Sequence, residues 1–210
     1  MELYFSPLAC SLATRIAFYE AGYVARYMQV DTKRKQVLGG GDFFEINPVG
    51  QVPVLRTDEG ALLFENTAIL PYVADRLPAA KLAPAGGFER TALQQWLGFT
   101  STELHKALFV PMLDPAAPED VKRYAREKAA LRMSVLQQHL SSREWLLDAF
   151  SVADIYLAVV LNWARYCDVD IAHWPAVHAY FKRALARPAV ARAFEEEMAL
   201  YREALARENA

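Results

Sequence analysis

Pro78-Ala-Ala-Lys-Leu-Ala-Pro-Ala-Gly-Gly87 divides this 210-residue sequence into two stretches of different composition. Its prolines and glycines interrupt helical and strand periodicity alike, as chain does between domains. Beyond it glycine stops almost at once: all nine glycines lie at or before Gly98, and the last 112 residues contain none. All four tryptophans (Trp96, Trp145, Trp163, Trp174) and all four histidines (His105, His139, His173, His178) lie beyond residue 95. Charge does not divide the halves, with 8 Lys+Arg against 9 Asp+Glu in residues 1–86 and 15 against 16 in residues 87–210. The expected organisation is a first domain over 1–78, a linker over 79–87 and a second domain over 88–210.

Upstream of the boundary the pattern is α/β. Glu2 to Ser6 alternates as a short strand, with Leu3 and Phe5 on one face. Ser11 to Ala21 has the apolar spacing of a helix (Leu12, Ile16, Tyr19) and stops at Gly22. Arg26 to Val30 is a second strand. Val52 to Arg56 and Ala61 to Phe64 flank a Thr-Asp-Glu-Gly turn and form a hairpin, and Asn66 to Leu77 is a helix ended by Pro78. This order predicts a small mixed sheet with helices on its faces.

Downstream everything reads as helix. Glu89 to about Phe109 carries Leu93, Trp96, Leu97, Leu104 and Leu108 at three- and four-residue spacing, and Glu119 to Leu140 follows Pro118. Ser151-Val-Ala-Asp154 has the form of a capping box, with Phe150 and Ile155 placed for a hydrophobic staple. The helix it opens is apolar on nearly all sides and is the expected core of a helical bundle. Pro175 to Arg187 and Ala189 to Arg207 complete the domain.

Composition excludes several function classes. With 54% hydrophobic and 23% charged residues the chain is not intrinsically disordered. A net charge of -2 gives no electrostatic footprint for nucleic acid or an anionic membrane. Two cysteines make no disulfide framework, and no apolar run approaches the ~18 residues of a membrane span. The expected setting is cytoplasmic, with neither a nucleic-acid nor a membrane partner. No His/Cys cluster has metal-ligand spacing, so no metal is expected, and Gly39-Gly-Gly41 lacks the Lys-Ser/Thr of a phosphate loop.

Four places carry candidate chemistry. Cys10, in Ser6-Pro-Leu-Ala-Cys-Ser11, falls at the start of the first helix, where free N–H groups and the dipole favour a thiolate. Ser11 either caps that helix or donates to the sulfur; with a Ser11 cap, Cys10 also fits a buried apolar role. Cys10-Ser-Leu-Ala has no second cysteine, which excludes a dithiol cycle in this motif. Val52, before Pro53 in Asn47-Pro-Val-Gly-Gln-Val-Pro53, can offer backbone groups to an extended peptide-like ligand, or the stretch is an ordinary proline-rich turn. Glu65 and Asn66 at the start of the next helix suit the zwitterionic end of an amino acid, or simply cap it. Thr102, His105 and Lys106 share a helix face, where a histidine can serve a thiolate or merely sit at the surface. Cys167, near the end of an apolar helix, reads as packing.

With these motifs in this order, the sequence resembles the glutathione S-transferase superfamily over essentially its whole length, and most closely the bacterial beta class. The resemblance rests on the first twelve residues, on Asn47–Pro53, on Glu65-Asn-Thr-Ala-Ile69, on Trp96–Lys106 and on Phe150-Ser-Val-Ala-Asp-Ile155. It implies a thioredoxin-like glutathione-binding domain followed by an all-helical domain, paired in a homodimer. The implied activity is a glutathione transferase that conjugates the glutathione thiolate to small hydrophobic electrophiles, a detoxification chemistry, and Cys10 permits thiol–disulfide exchange as a second mode.

By the same resemblance Cys10, Ser11 and His105 are the catalytic set. Lys35, Gln51, Val52, Pro53, Glu65, Asn66 and Thr102 bind glutathione, and Lys106, Phe109 and Trp163 line the electrophile pocket. Glutathione is the co-substrate. The chain departs from the class pattern at Leu8 and Asn66, where Gly and Ser or Gly are usual, at Phe5, where Tyr is frequent, and at Gly98, where Asn is usual. The alternatives are a non-enzymatic protein-binding module on the same fold, or a glutathione-dependent isomerase or peroxidase.

Overall fold

The computed structural model describes residues 1–208. They form two compact units, residues 1–81 with 187–208, and residues 82–186.

The first unit is built on a five-stranded mixed sheet of order β3-β2-β1-β4-β5. The strands are β1 (Glu2–Phe5), β2 (Arg26–Asp31), β3 (Gln36–Val37), β4 (Val54–Arg56) and β5 (Leu62–Phe64). β1 runs parallel to β2, with Tyr4 opposite Met28, and antiparallel to β4, with Tyr4 opposite Val54. The parallel pair needs a crossover, and α1 (Leu12–Glu20) supplies it. α2 (Asn66–Arg76) packs beside α1. On one side of the sheet Tyr4, Val30, Val37, Phe43 and Val54 make a buried cluster. The edge strand β3 has no sequence signal of its own: two residues are too few for alternation to register.

The second unit is helical: α3 (Gly87–Phe99), α4 (Val110–Leu113), α5 (Glu119–Leu140), α6 (Val152–Leu161) and α7 (Pro175–Leu185). Every residue of α6 is buried, as its all-round apolarity requires. Its capping box is formed: the Ser151 hydroxyl accepts from the Ala153 N–H, and the Asp154 carboxylate accepts from the Ser151 N–H at 2.9 Å. Asp154 also accepts from the Leu146 N–H at 2.9 Å and from the Tyr180 hydroxyl, so one carboxylate ties three segments. Burial lifts that carboxyl to about 6, against the pull of its donors.

Two expectations are corrected. The single helix over Glu89–Phe109 is regular only to Phe99; Thr100–Phe109 is wound as a π-helix, and α4 follows. Pro111 has no N–H to bond back one regular turn, which marks the end of this stretch as unable to keep ordinary bonding. The last helix, α8 (Pro188–Glu208), packs on α1 and belongs to the first unit rather than to a helical domain running to the C-terminus. Lack of glycine identified it as helix but carried no information about which core it would join. Val190, Ala193 and Glu197 are fully buried along one face of it, and Arg187 pairs with Glu20 of α1 at 2.7 Å. The linker expected over 79–87 divides between the units after Lys81. The final residues of the expected second domain, Asn209 and Ala210, lie outside the described residues.

Candidate active site

Cys10 lies in the turn that leads from β1 into α1, with only 8% of its surface exposed. Its thiol donates to the carbonyl of Val52 at 3.3 Å. Its own carbonyl accepts the Ala13 N–H at 3.2 Å and the Asn66 side-chain amide at 2.9 Å. Three motifs far apart in sequence, around residues 10, 52 and 66, therefore meet at one cysteine.

The residues that shape this turn are mostly buried. Ser11 is fully buried, and its hydroxyl accepts from the Ser6 N–H at 3.2 Å and donates to the Ser6 carbonyl at 3.3 Å. It is already in helical conformation and makes no cap bond, so neither the expected cap nor a bond to the Cys10 sulfur is its role here. Ser11 instead closes the turn that carries the cysteine.

Leu8 has φ +60°, a left-handed conformation that costs a side-chain-bearing residue about 1–2 kcal/mol. Leu8 is held there by Glu197 of α8, whose carboxylate accepts its N–H at 2.7 Å. Glu197 is fully buried and faces Arg15 of α1 at 2.9 Å. The Arg15 guanidinium lies between the rings of Phe5 and Tyr27, 4.3 and 4.1 Å from their centres. Burial pushes the Glu197 carboxyl up to about 8, opposed by Arg15 and the Leu8 amide. Thr14, Arg15 and Glu197 escaped the sequence reading. The one available signal was an arginine set among the apolar residues of a short helix.

Val52 is half-buried and precedes β4; the Val52–Pro53 bond is cis and Pro53 is buried. The loop before it folds on Asn47, whose amide donates to the Gln51 carbonyl at 2.7 Å. Gly50, at φ +64°, leaves no room for a Cβ, which would meet the Phe44 ring at 2.8 Å. Gln51 is exposed, and the Lys35 amine donates to the Gly50 carbonyl at 2.9 Å. Lys35 thus joins the loop that carries Val52.

Glu65 is exposed and adopts φ +64°, ψ 128°, while Asn66 beside it is 3% exposed. No side-chain cap bond is made at the start of α2, so capping does not account for this pair. The strained backbone at Glu65 is of the kind that collects at ligand clamps.

In the helical unit, His105 sits in the π-wound stretch and is 7% exposed, which excludes the surface role. Its Nδ1 shares a hydrogen bond with the Tyr156 hydroxyl at 2.7 Å, and Trp163 packs on its ring at 4.9 Å. Burial, with the neighbouring Lys106 charge, lowers the imidazole to about 4, so it is neutral near pH 7. Thr102 and Lys106 are exposed and do not share the environment of His105; the Thr102 hydroxyl donates back to the Gly98 carbonyl at 3.0 Å. Phe109 is fully buried against Trp163 at 6.3 Å, so of the three expected pocket residues Lys106 alone is exposed. A concavity of about 470 Å³ near the end of α6, lined by Asn162, Arg165, Asp168 and Phe181, contains none of the expected residues. Cys167 is buried and its thiol is pushed up to about 11, consistent with inert packing.

Comparison with known proteins covers both units. Residues 9–76 match the glutathione S-transferase N-terminal domain family, and residues 99–188 match the glutathione S-transferase C-terminal domain family. Glutathione S-transferase GstA of Escherichia coli O157:H7 is 36% identical over 199 residues, covering 94% of this chain and 98% of that protein. A sphingomonad glutathione S-transferase solved in complex with glutathione is 43% identical with TM-score 0.90, covering 94% of this chain and 98% of that one. The bacterial beta class enzyme of Sphingomonas chungbukensis is 41% identical with TM-score 0.90, at the same coverage. The sheet order, the placement of Cys10 beside Val52 and these likenesses agree, and the chain belongs to the glutathione S-transferase family.

Proposed function

We propose that this glutathione-dependent transferase holds glutathione along the Val52 loop, with its sulfur brought to Cys10. The supporting observation is the convergence at Cys10: the thiol on the Val52 carbonyl at 3.3 Å, and the main chain on Asn66 at 2.9 Å. A ligand lying along Val52 therefore lies against the cysteine. In this reading Val52, ahead of Pro53, offers backbone groups to the cysteinyl part of the peptide. Lys35 and Gln51 meet a carboxylate, and Glu65 with the Asn66 N–H receives the γ-glutamyl end. Of the residues expected in the helical unit, Thr102 and Lys106 are exposed, while Phe109 and Trp163 are buried, Trp163 against His105 and Phe109 against Trp163. His105, being neutral, acts as a hydrogen-bond partner and not as a cation. Ser11 supports the Cys10 turn from within.

Two reactions follow from this arrangement. In conjugation the glutathione thiolate attacks a small electrophile; a carbon–sulfur bond forms and the leaving group departs with its electron pair. In exchange the Cys10 thiolate attacks oxidised glutathione, forming a protein–glutathione disulfide and releasing one glutathione thiolate. The chain is read as a homodimer working in the cytoplasm, a setting compatible with two cysteines that are not joined in a disulfide.

Intact-mass measurement after incubation with oxidised glutathione tests the centre of the reading. Wild type and Cys167→Ala are expected to gain one glutathione, and Cys10→Ala none. An identical adduct on Cys10→Ala rules out Cys10 as the sulfur-binding end.

A further inference from the structure

We propose that Asn66 is a positioning residue for Cys10: its side-chain amide pins the Cys10 main chain, across 56 residues of sequence, so that the thiol stays turned toward Val52. The inference rests on the reading of Cys10 as the thiol centre, and gives the Asn66 side chain a task other than holding ligand.

The geometry assigns the task. The start of α2 draws no side-chain cap from Glu65, and the Asn66 amide points instead at the Cys10 carbonyl, 2.9 Å away. That carbonyl already accepts the Ala13 N–H at 3.2 Å, so both of its lone pairs are engaged and the peptide plane after Cys10 is fixed from two directions. The amide is itself oriented: its oxygen accepts a long bond, 3.5 Å, from the Thr14 hydroxyl. Thr14 is fully buried and Asn66 nearly so, which keeps water from substituting for either bond. The starts of α1 and α2 are thereby joined by one side chain at the residue that carries the sulfur. A serine at this position would be too short to span the same gap.

Each hydrogen bond of this kind is worth about 1 kcal/mol, or about fivefold in a population. Freed from Asn66, the Cys10 turn spends more time with its thiol away from Val52. Reaction with a small unpositioned reagent then becomes faster, and reaction with a large ligand held along Val52 becomes slower.

The test uses both cysteines of one molecule. Iodoacetamide labelling of the folded protein is followed at Cys10 and Cys167 by peptide mass spectrometry, beside the rate of disulfide formation with oxidised glutathione. For Asn66→Ser, labelling of Cys10 is expected to rise about fivefold and the glutathione rate to fall about fivefold, with Cys167 labelling unchanged. Thr14→Val should move both Cys10 rates the same way by a smaller factor, while Thr14→Ser, which keeps the hydroxyl, stays near wild type. Joint acceleration at Cys10 and Cys167 would mean general loosening and overturn the proposal, as would unchanged Cys10 rates. If wild type forms no glutathione disulfide at all, the reading of Cys10 fails, yet the ratio of labelling at the two cysteines still decides whether Asn66 pins the turn.

Discussion

His105 should make the stability of this protein fall on acidification in a way that a single substitution removes. The imidazole is held to about 4 by burial and by Lys106, from an ordinary value of 6.5. Between those values the unfolded chain binds the proton more readily than the folded one, so folding stability rises with pH across the window. The contribution is present above pH 6.5 and is lost as pH falls through 4. Each pKa unit is about 1.4 kcal/mol, which puts the full loss near 3 kcal/mol below pH 4 and about 2 kcal/mol already at pH 5. Urea unfolding of wild type and His105→Gln at pH 7 and pH 5 measures it. The variant loses stability at pH 7 through poorer packing on Trp163, but its further loss between pH 7 and 5 should be about 2 kcal/mol smaller than that of wild type. Equal losses in the two proteins would refute a neutral, buried His105.

Two further outcomes rest on single buried groups. Ser151→Ala removes the hydroxyl that caps α6 and one donor to Asp154, and should cost about 1 kcal/mol, read as a lower urea midpoint. Glu197→Leu removes the buried carboxylate that faces Arg15 at 2.9 Å and accepts the Leu8 N–H, and leaves Arg15 with the more exposed Glu196 at 3.6 Å. The expected cost is about 1–3 kcal/mol, that of leaving buried hydrogen-bonding groups poorly satisfied, seen as a depressed melting temperature; a melt within a degree of wild type would show that Glu197 does not anchor α8.

Much of the fold was legible because it depends on local patterns. Alternation at Glu2–Phe5, the apolar ring of α6 and the Ser151–Asp154 box each report their structure within a window of a few residues. The Cys10, Val52 and Glu65–Asn66 motifs were legible for a similar reason, since each marks the end of an element where backbone groups are unpaired. What failed was anything set by a specific contact that periodicity and residue type do not report. Ser11 looked like a cap and is a turn closure on Ser6. His105 looked exposed on an amphipathic helix, but the π-wound stretch places it inside, against Tyr156. The helix at the C-terminus was assigned to its sequence neighbours and packs on α1.

By itself the sequence determined the element types, the change from α/β to helix around residue 80, and the motifs at Cys10, Val52 and Glu65–Asn66 that the structure brings together. These follow from periodicity, glycine and proline placement, and the chemistry of residue types, all of which act over short spans of chain. Only the tertiary structure decided which groups are neutral, which are buried and which hold Cys10 in place. Asn66 on the Cys10 carbonyl, Glu197 on the left-handed Leu8 and His105 lowered by burial arise from desolvation and from hydrogen bonds between distant residues. Neither exists until the chain is packed.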